Sequence, residues 1–201
     1  MAIINITHIE GSPSSIDKTI QKAVKSLQEQ APRHLTIGTQ IQDPSAVQIT
    51  SEWASPNVDP SMGRSFHVAL NRSAFGPDGP ATANVVEFAQ SYFSASRVTP
   101  EFQKQIEQDF LRFDEICSRG AEGDLGLAFG WVQEEQQHEE VVGEEAKCFL
   151  VIRGWESMAH FERLVKHDAY KEAIPILFAW KVPFKMWHVE RKFPESSEIS
   201  V

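Results

Sequence analysis

The chain has 201 residues, 41% hydrophobic and 23% charged, with a formal net charge of −9 at pH 7. That composition predicts a soluble globular protein, large enough for one domain or two small fused ones. The acidic balance, with no Lys/Arg stripe to offset it, excludes nucleic acid and an anionic membrane surface from the expected partners.

Ile3–Ile9 reads as a strand, and after Gly11-Ser12-Pro13 the apolar positions change period to Ile16, Ile20, Ala23, Val24 and Leu27, a helix capped by Ser14 or Ser15. Pro32 ends it. His34–Gln42 is a second strand, turned at Asp43-Pro44 into a third that ends at Trp53. Residues 62–75 are read as a helix with Phe66, Leu70 and Phe75 on its apolar side, closed by Gly-Pro-Asp-Gly-Pro at 76–80. Asn84 to Phe93 is a strand. Thr99-Pro100-Glu101 then announces a helix whose buried stripe is Phe102, Ile106, Phe110, Phe113 and Cys117. Strands follow at about 126–134 and 146–155. A helix from Ser157 carries Phe161, Leu164, Val165 and Ala169 and is broken in two at Pro175, and a last strand runs from Phe184 to about Arg191. Cys117 and Cys148 lack CxxC or zinc spacing and read as buried reduced thiols. No leader-like apolar stretch opens the chain and no run of about twenty apolar residues could span a bilayer, so a cytoplasmic protein is expected.

Ala46–Ser55 and Cys148–Ser157 are faint copies of each other, each an apolar run ending in Trp-x-Ser. The elements around both come in the same order, β-α-β-β-α-β. This predicts an α+β protein of two ferredoxin-like (split βαβ) repeats, residues 1–82 and 83–193, with a tail at 194–201. Counting 29 residues from each Trp reaches Phe184 and Thr82, so the strand at 84–93 is expected to be shared or very long. Residues 148–152 are apolar throughout, so both faces of that strand must be covered. A second sheet is the economical cover, and two sheets laid together would enclose a barrel-like space for an apolar site.

Arg153-Gly-Trp-Glu-Ser157, His160-Phe161, Asp168-Ala-Tyr-Lys-Glu-Ala173 and Trp187-His-Val-Glu190 resemble the antibiotic-biosynthesis-monooxygenase type of the dimeric α/β-barrel superfamily, in its tandem fungal form. The resemblance implies a dimeric α/β-barrel architecture within one chain. It also implies a cofactor-independent tailoring enzyme of secondary metabolism, a monooxygenase acting on a polyketide- or terpenoid-like substrate. Two alternatives stand beside it: a cyclase or isomerase begun by the same proton abstraction, and a non-catalytic ligand-binding or stress-type barrel. The haem-degrading branch carries a ligand His where this chain has Ile174, so no cofactor is expected, although His167 stands one turn earlier.

The acid/base candidates are His188, Glu87 and His67. Glu87 sits inside an apolar run where burial would raise its pKa, and His188 alternates with Phe184 and Met186. Trp53 and Trp155 end equivalent strands and are candidate substrate walls with Trp131 and Phe88. For each of these, core packing or an edge position is the simpler reading. His160 and His167, two turns apart on one helix, are too distant to share a metal, and Gln133–Lys147, with six Glu, has no ligand spacing and reads as a solvated hairpin or lid. No GxSxG, P-loop, GxGxxG or HExxH occurs. The expected partner is a small-molecule substrate, with a homodimer allowed.

Overall fold

The computed structural model describes residues 2–10, 18, 20–22, 25, 32–53 and 63–193. Eight strands, β1 (Ala2–Glu10), β2 (His34–Gln40), β3 (Ala46–Glu52), β4 (Arg64–Leu70), β5 (Val85–Ser94), β6 (Asp124–Val132), β7 (Ala146–Trp155) and β8 (Phe184–Phe193), close into one barrel. The order around it is β1-β3-β2-β8-β5-β7-β6-β4, and every pairing is antiparallel. The first four strands lie in the order β4-β1-β3-β2 and the last four in the order β8-β5-β7-β6, joined through β2–β8 and β4–β6.

The segment expected to be a helix at 62–75 is strand β4. Its Phe66, Val68 and Leu70 point into the barrel while Ser65, His67 and Ala69 alternate outward, so the apolar spacing has period two and not the helical period. With β4 filling the fourth place of the first set, β5 belongs to the second set alone and is not shared. Of the N-terminal helix, Lys18, Ile20, Gln21, Lys22 and Lys25 are helical and Ile20 is buried against Leu35, Ile37, Val47 and Ile49. Its other expected apolar and capping positions, and the tail at 194–201, lie outside the described residues.

Three helices cover the outer face of β5, β7 and β8: α1 (Pro100–Cys117), α2 (Met158–Lys166) and α3 (Asp168–Phe178). Thr99 caps α1 by accepting the Phe102 amide, with Pro100 at the first turn and Glu101 beside the helix N-terminus. The break between α2 and α3 falls at His167, not at Pro175. His167 is extended (φ −72°, ψ 147°), and its Nδ1 accepts the Ala169 amide at 3.1 Å and so caps α3. Pro175 is accommodated inside α3.

The barrel is filled. Ile4, Ile6, Phe66, Val68, Leu70, Phe88, Leu150, Ile152 and Trp187 pack into its centre, with Phe88 stacked on Trp187 at 5.5 Å. The Trp187 indole donates to Gln48 at 2.6 Å, which satisfies the polar edge of that core. A site enclosed between the two sheets is therefore ruled out by packing, and the open space lies elsewhere. Cys117 and Cys148 are buried free thiols, and burial pushes Cys117 up to about 11. Among the described residues, no helix is long and apolar enough to cross a membrane.

Candidate active site

A cavity of about 260 Å³ sits outside the barrel, between the sheet and its three helices. Its floor comes from alternate outward positions of β5 (Glu87, Ala89, Ser91), β7 (Phe149, Val151, Arg153, Trp155) and β8 (Phe184, Met186). Its roof is Phe110 and Phe113 of α1, Phe161 and Leu164 of α2, and Tyr170, Ile174, Leu177 and Phe178 of α3, spaced by one helical face. Phe178, Phe184 and Met186 are exposed on the surface as well as lining the space, so the mouth opens there.

Glu87 is the acid of this mostly aromatic and aliphatic chamber, whose lining also includes Ser91, Arg153 and Lys181. The Trp155 indole N–H donates to its Oε2 at 2.8 Å, and no other hydrogen bond to the carboxyl occurs among the described residues, which leaves Oε1 for a ligand. Burial raises its pKa above the ordinary 4.5. The Trp155 hydrogen bond and the Arg153 charge pull it back down, while Asp124 pushes it up. Arg153, its cross-strand neighbour on β7, is itself buried and spoken for. It bridges Asp114 of α1 at 2.9 Å and Asp124 of β6 at 2.5 Å, and its guanidinium lies 5.2 Å from the Trp155 ring centroid. Two carboxylates thus pair with one guanidinium whose charge also reaches Glu87, and burial also raises Asp114. Arg153 serves to hold Trp155 and Glu87 in place and is not free to grip an anion.

On the other side, Glu87 pairs across β8 with His188. Both point to the helix-covered face, but His188 does not line the cavity. Phe161, which does, packs its ring against the imidazole with centroids 4.3 Å apart. Gln42 grips His188 twice: its Oε1 accepts the His188 amide at 2.8 Å, which turns its Nε2 toward Nδ1, also at 2.8 Å. Nδ1 is then the acceptor, so the proton sits on Nε2, which is buried without a hydrogen-bond partner. Burial lowers the His188 pKa to about 4, so the ring is neutral at physiological pH.

The remaining sequence-derived candidates lie away from this chamber. His67, on β4 and not on a helix, is buried in the first set of strands, with Asn5 on its Nε2 at 3.2 Å and Glu134 on its Nδ1 and backbone amide. Trp53 donates to Ser51 at 2.9 Å and packs against the core of β2 and β3. Trp131 donates to Glu107 at 3.0 Å and packs on Phe93 and Phe149, and Phe88 is inside the barrel. Of the seven named residues, the structure brings Glu87 and Trp155 together in the cavity and sets His188 behind Phe161.

Reasoning from sequence did not single out Arg153, Asp114, Asp124, Tyr170 and Gln42 as site residues. The stretches Arg153-Gly-Trp-Glu-Ser157 and Asp168-Ala-Tyr-Lys-Glu-Ala173 contain two of them, Arg153 and Tyr170. The other three converge from three separate places in the chain. Ile174 lines the cavity, and among the described residues no His or Cys does, while His167 is occupied as a helix cap. The chamber therefore offers no imidazole or thiolate ligand to a haem iron.

No family model matches the chain, and no curated protein matches it. Solved structures do. An anthrone oxidase-like protein superposes with a TM-score of 0.66 at 12% identity, covering 96% of this chain and 91% of that one. A ferredoxin-fold protein from Listeria monocytogenes related to antibiotic biosynthesis monooxygenases gives 0.51 at 14%, covering 96% and 97%. A major regulator of staphylococcal pathogenesis gives 0.53 at 11%, covering 95% and 99%. At these identities the likeness is one of architecture: the chain has the ferredoxin-type α+β fold of proteins related to antibiotic biosynthesis monooxygenases.

Proposed function

We propose that the protein is a cofactor-independent oxygenase of small-molecule tailoring in secondary metabolism, acting on a flat, polycyclic substrate of polyketide type. The observation that carries this reading is Glu87: one carboxyl, raised by burial and half-satisfied, in a chamber walled mostly by aromatic and aliphatic side chains. A solvated carboxylate is too weak a base to take a proton from carbon, and desolvation strengthens it. The volume of about 260 Å³ lies just below the roughly 300–1,000 Å³ typical of ligand sites, which suits a compact fused-ring molecule. The anthrone oxidase-like neighbour supports the same substrate class by analogy of fold alone.

The chain is read as two fused ferredoxin-like units, 1–82 and 83–193. The repeated strand order and the repeated cross-strand rows support this: Asn5 faces His67 and Ser51 as Glu87 faces His188 and Arg153. Only the second row carries an acid at the central position, which makes the second unit the catalytic one.

In the reaction, Glu87 takes one proton from an activated CH₂ of the substrate, whose rings delocalise the carbanion. The carbanion transfers electrons to dioxygen and forms a C–O bond, and the resulting hydroperoxide loses water with the second C–H proton. The sum is R₂CH₂ + O₂ → R₂C=O + H₂O, with dioxygen the only oxidant. Anthrone, a tricyclic ketone with a doubly benzylic CH₂, is the test compound. Oxygen uptake with wild-type protein that falls about 10²-fold or more in Glu87→Gln is the expected result. Conversion that proceeds equally under nitrogen would make the protein a cyclase or isomerase, and no conversion of any such ketone would return it to the ligand-binding class.

A further inference from the structure

Tyr170 stands on the cavity-facing side of α3, one turn before Ile174 and two before Leu177, all three lining the chamber with Glu87. Its ring packs edge-on to Phe113, with centroids 6.1 Å apart. Among the other polar groups of the chamber, Ser91 lies on the sheet wall with Glu87 and Lys181 is exposed to solvent, and the rest are committed. The Trp155 indole is on Glu87, the Trp180 indole is on Asp109 at 3.1 Å, and Arg153 is held by Asp114 and Asp124. The Tyr170 hydroxyl has no hydrogen-bond partner among the described residues. Burial raises its pKa, with smaller contributions from Glu87 and Cys117, so it stays protonated and acts as a donor. Glu87 on the sheet wall and Tyr170 on the helix wall, an acid and a residue with an unpaired hydroxyl donor, thus line one largely apolar space. A single carboxylate can remove a proton from carbon only if the electron pair left behind is received somewhere.

We propose that the Tyr170 hydroxyl is a catalytic hydrogen-bond donor that holds the ketone oxygen of the substrate, so that the substrate class of this site is an enolisable aryl ketone, not a hydrocarbon or a simple terpenoid. This rests on the reading of Glu87 as the base. Glu87 takes the C–H proton, the C–H electron pair moves through the ring system onto the ketone oxygen, and Tyr170 stabilises that oxygen as it gains charge. The hydroxyl keeps its own proton throughout. Dioxygen then receives the electrons from carbon as described above.

The test uses two probes of the same shape on the full chain: anthrone, and 9,10-dihydroanthracene, which lacks the ketone oxygen. Binding is read by quenching of tryptophan fluorescence and turnover by oxygen uptake. Wild-type protein should prefer anthrone, and Tyr170→Phe should lose that preference by about 5–10-fold, the worth of one hydrogen bond, while binding 9,10-dihydroanthracene as before. With anthrone, kcat should fall about 10²-fold with little change in melting temperature. A Tyr170→Phe protein that keeps the preference and the rate, while Glu87→Gln loses the rate, overturns the role of Tyr170 and leaves the oxygenase reading standing. Loss of the preference in Tyr170→Phe without turnover by wild-type protein supports Tyr170 as the ketone donor and overturns the oxygenase reading. A preference lost in Ser91→Ala and kept in Tyr170→Phe would assign the donor to the other lining hydroxyl and overturn the proposal, as would failure of wild-type protein to bind either compound.

Discussion

Trp155 and Glu87 are one unit, because the fully buried indole gives its only donor to the carboxylate. Trp155→Phe removes a contact that lowers the Glu87 pKa, so the acid limb of the pH–rate profile should move to higher pH, measured as kcat/KM against pH. His188 gives a second pH dependence, of stability. Its pKa falls from 6.5 in the unfolded chain to about 4 in the folded one. As pH drops through that window the unfolded state takes a proton that the folded state refuses, so stability falls from about pH 6.5 down to about 4 and then levels. The loss amounts to about 3 kcal/mol from this group. Half-buried His8, also lowered to about 4 by burial, adds to it. Urea unfolding across that range should show the fall, and His188→Asn should flatten part of it. Glu87 works in the opposite sense, its raised pKa making the folded state less stable as pH climbs above 4.5, a drop that Glu87→Gln should remove.

At the scale of elements, the barrel closes only because both joins between the two strand sets carry a glycine. Gly38 of β2 lies against β8, where a Cβ would collide with the Glu190 carbonyl oxygen and Val189. Gly130 of β6 lies against β4, where a Cβ would collide with the Ala69 carbonyl oxygen. Backbone is the obstacle at both, so neither can relax by turning a side chain. Gly38→Val and Gly130→Val should each destabilise by about 1–3 kcal/mol or more, read as a lower midpoint in thermal unfolding. The connection after β6 contributes to one join as well, since Glu134 hydrogen-bonds the His67 amide of β4 at 2.8 Å. The acidic stretch read as a solvated loop thus fastens one half to the other at its first residues.

For the whole molecule, closure means that no described strand has an unpaired edge on which the sheet could separate. The halves share one interior core, in which Ile4 and Val68 of the first set pack with Phe88 and Trp187 of the second. A single cooperative transition is therefore expected, with calorimetric and van't Hoff enthalpies equal. Two separate transitions would mean that the core does not couple the halves.

The strands at 2–10, 34–52 and 146–155, the capped helix at 100–117 and the two buried thiols were legible in the sequence, because hydrophobic period and capping chemistry are local. Residues 64–70 were not, since Phe66, Leu70 and Phe75 suit a helical stripe as well as an alternating one, and the choice fell to pairing with β1 and β6. Glu87 and Trp155 could be named from sequence, but not their contact, which depends on the register of β5 against β7. Nor could the sequence say which face of the sheet holds the open space. Side-chain volume decided that: large residues from both halves fill the barrel, and the gap remains where three helices rest on aromatic side chains above β5, β7 and β8.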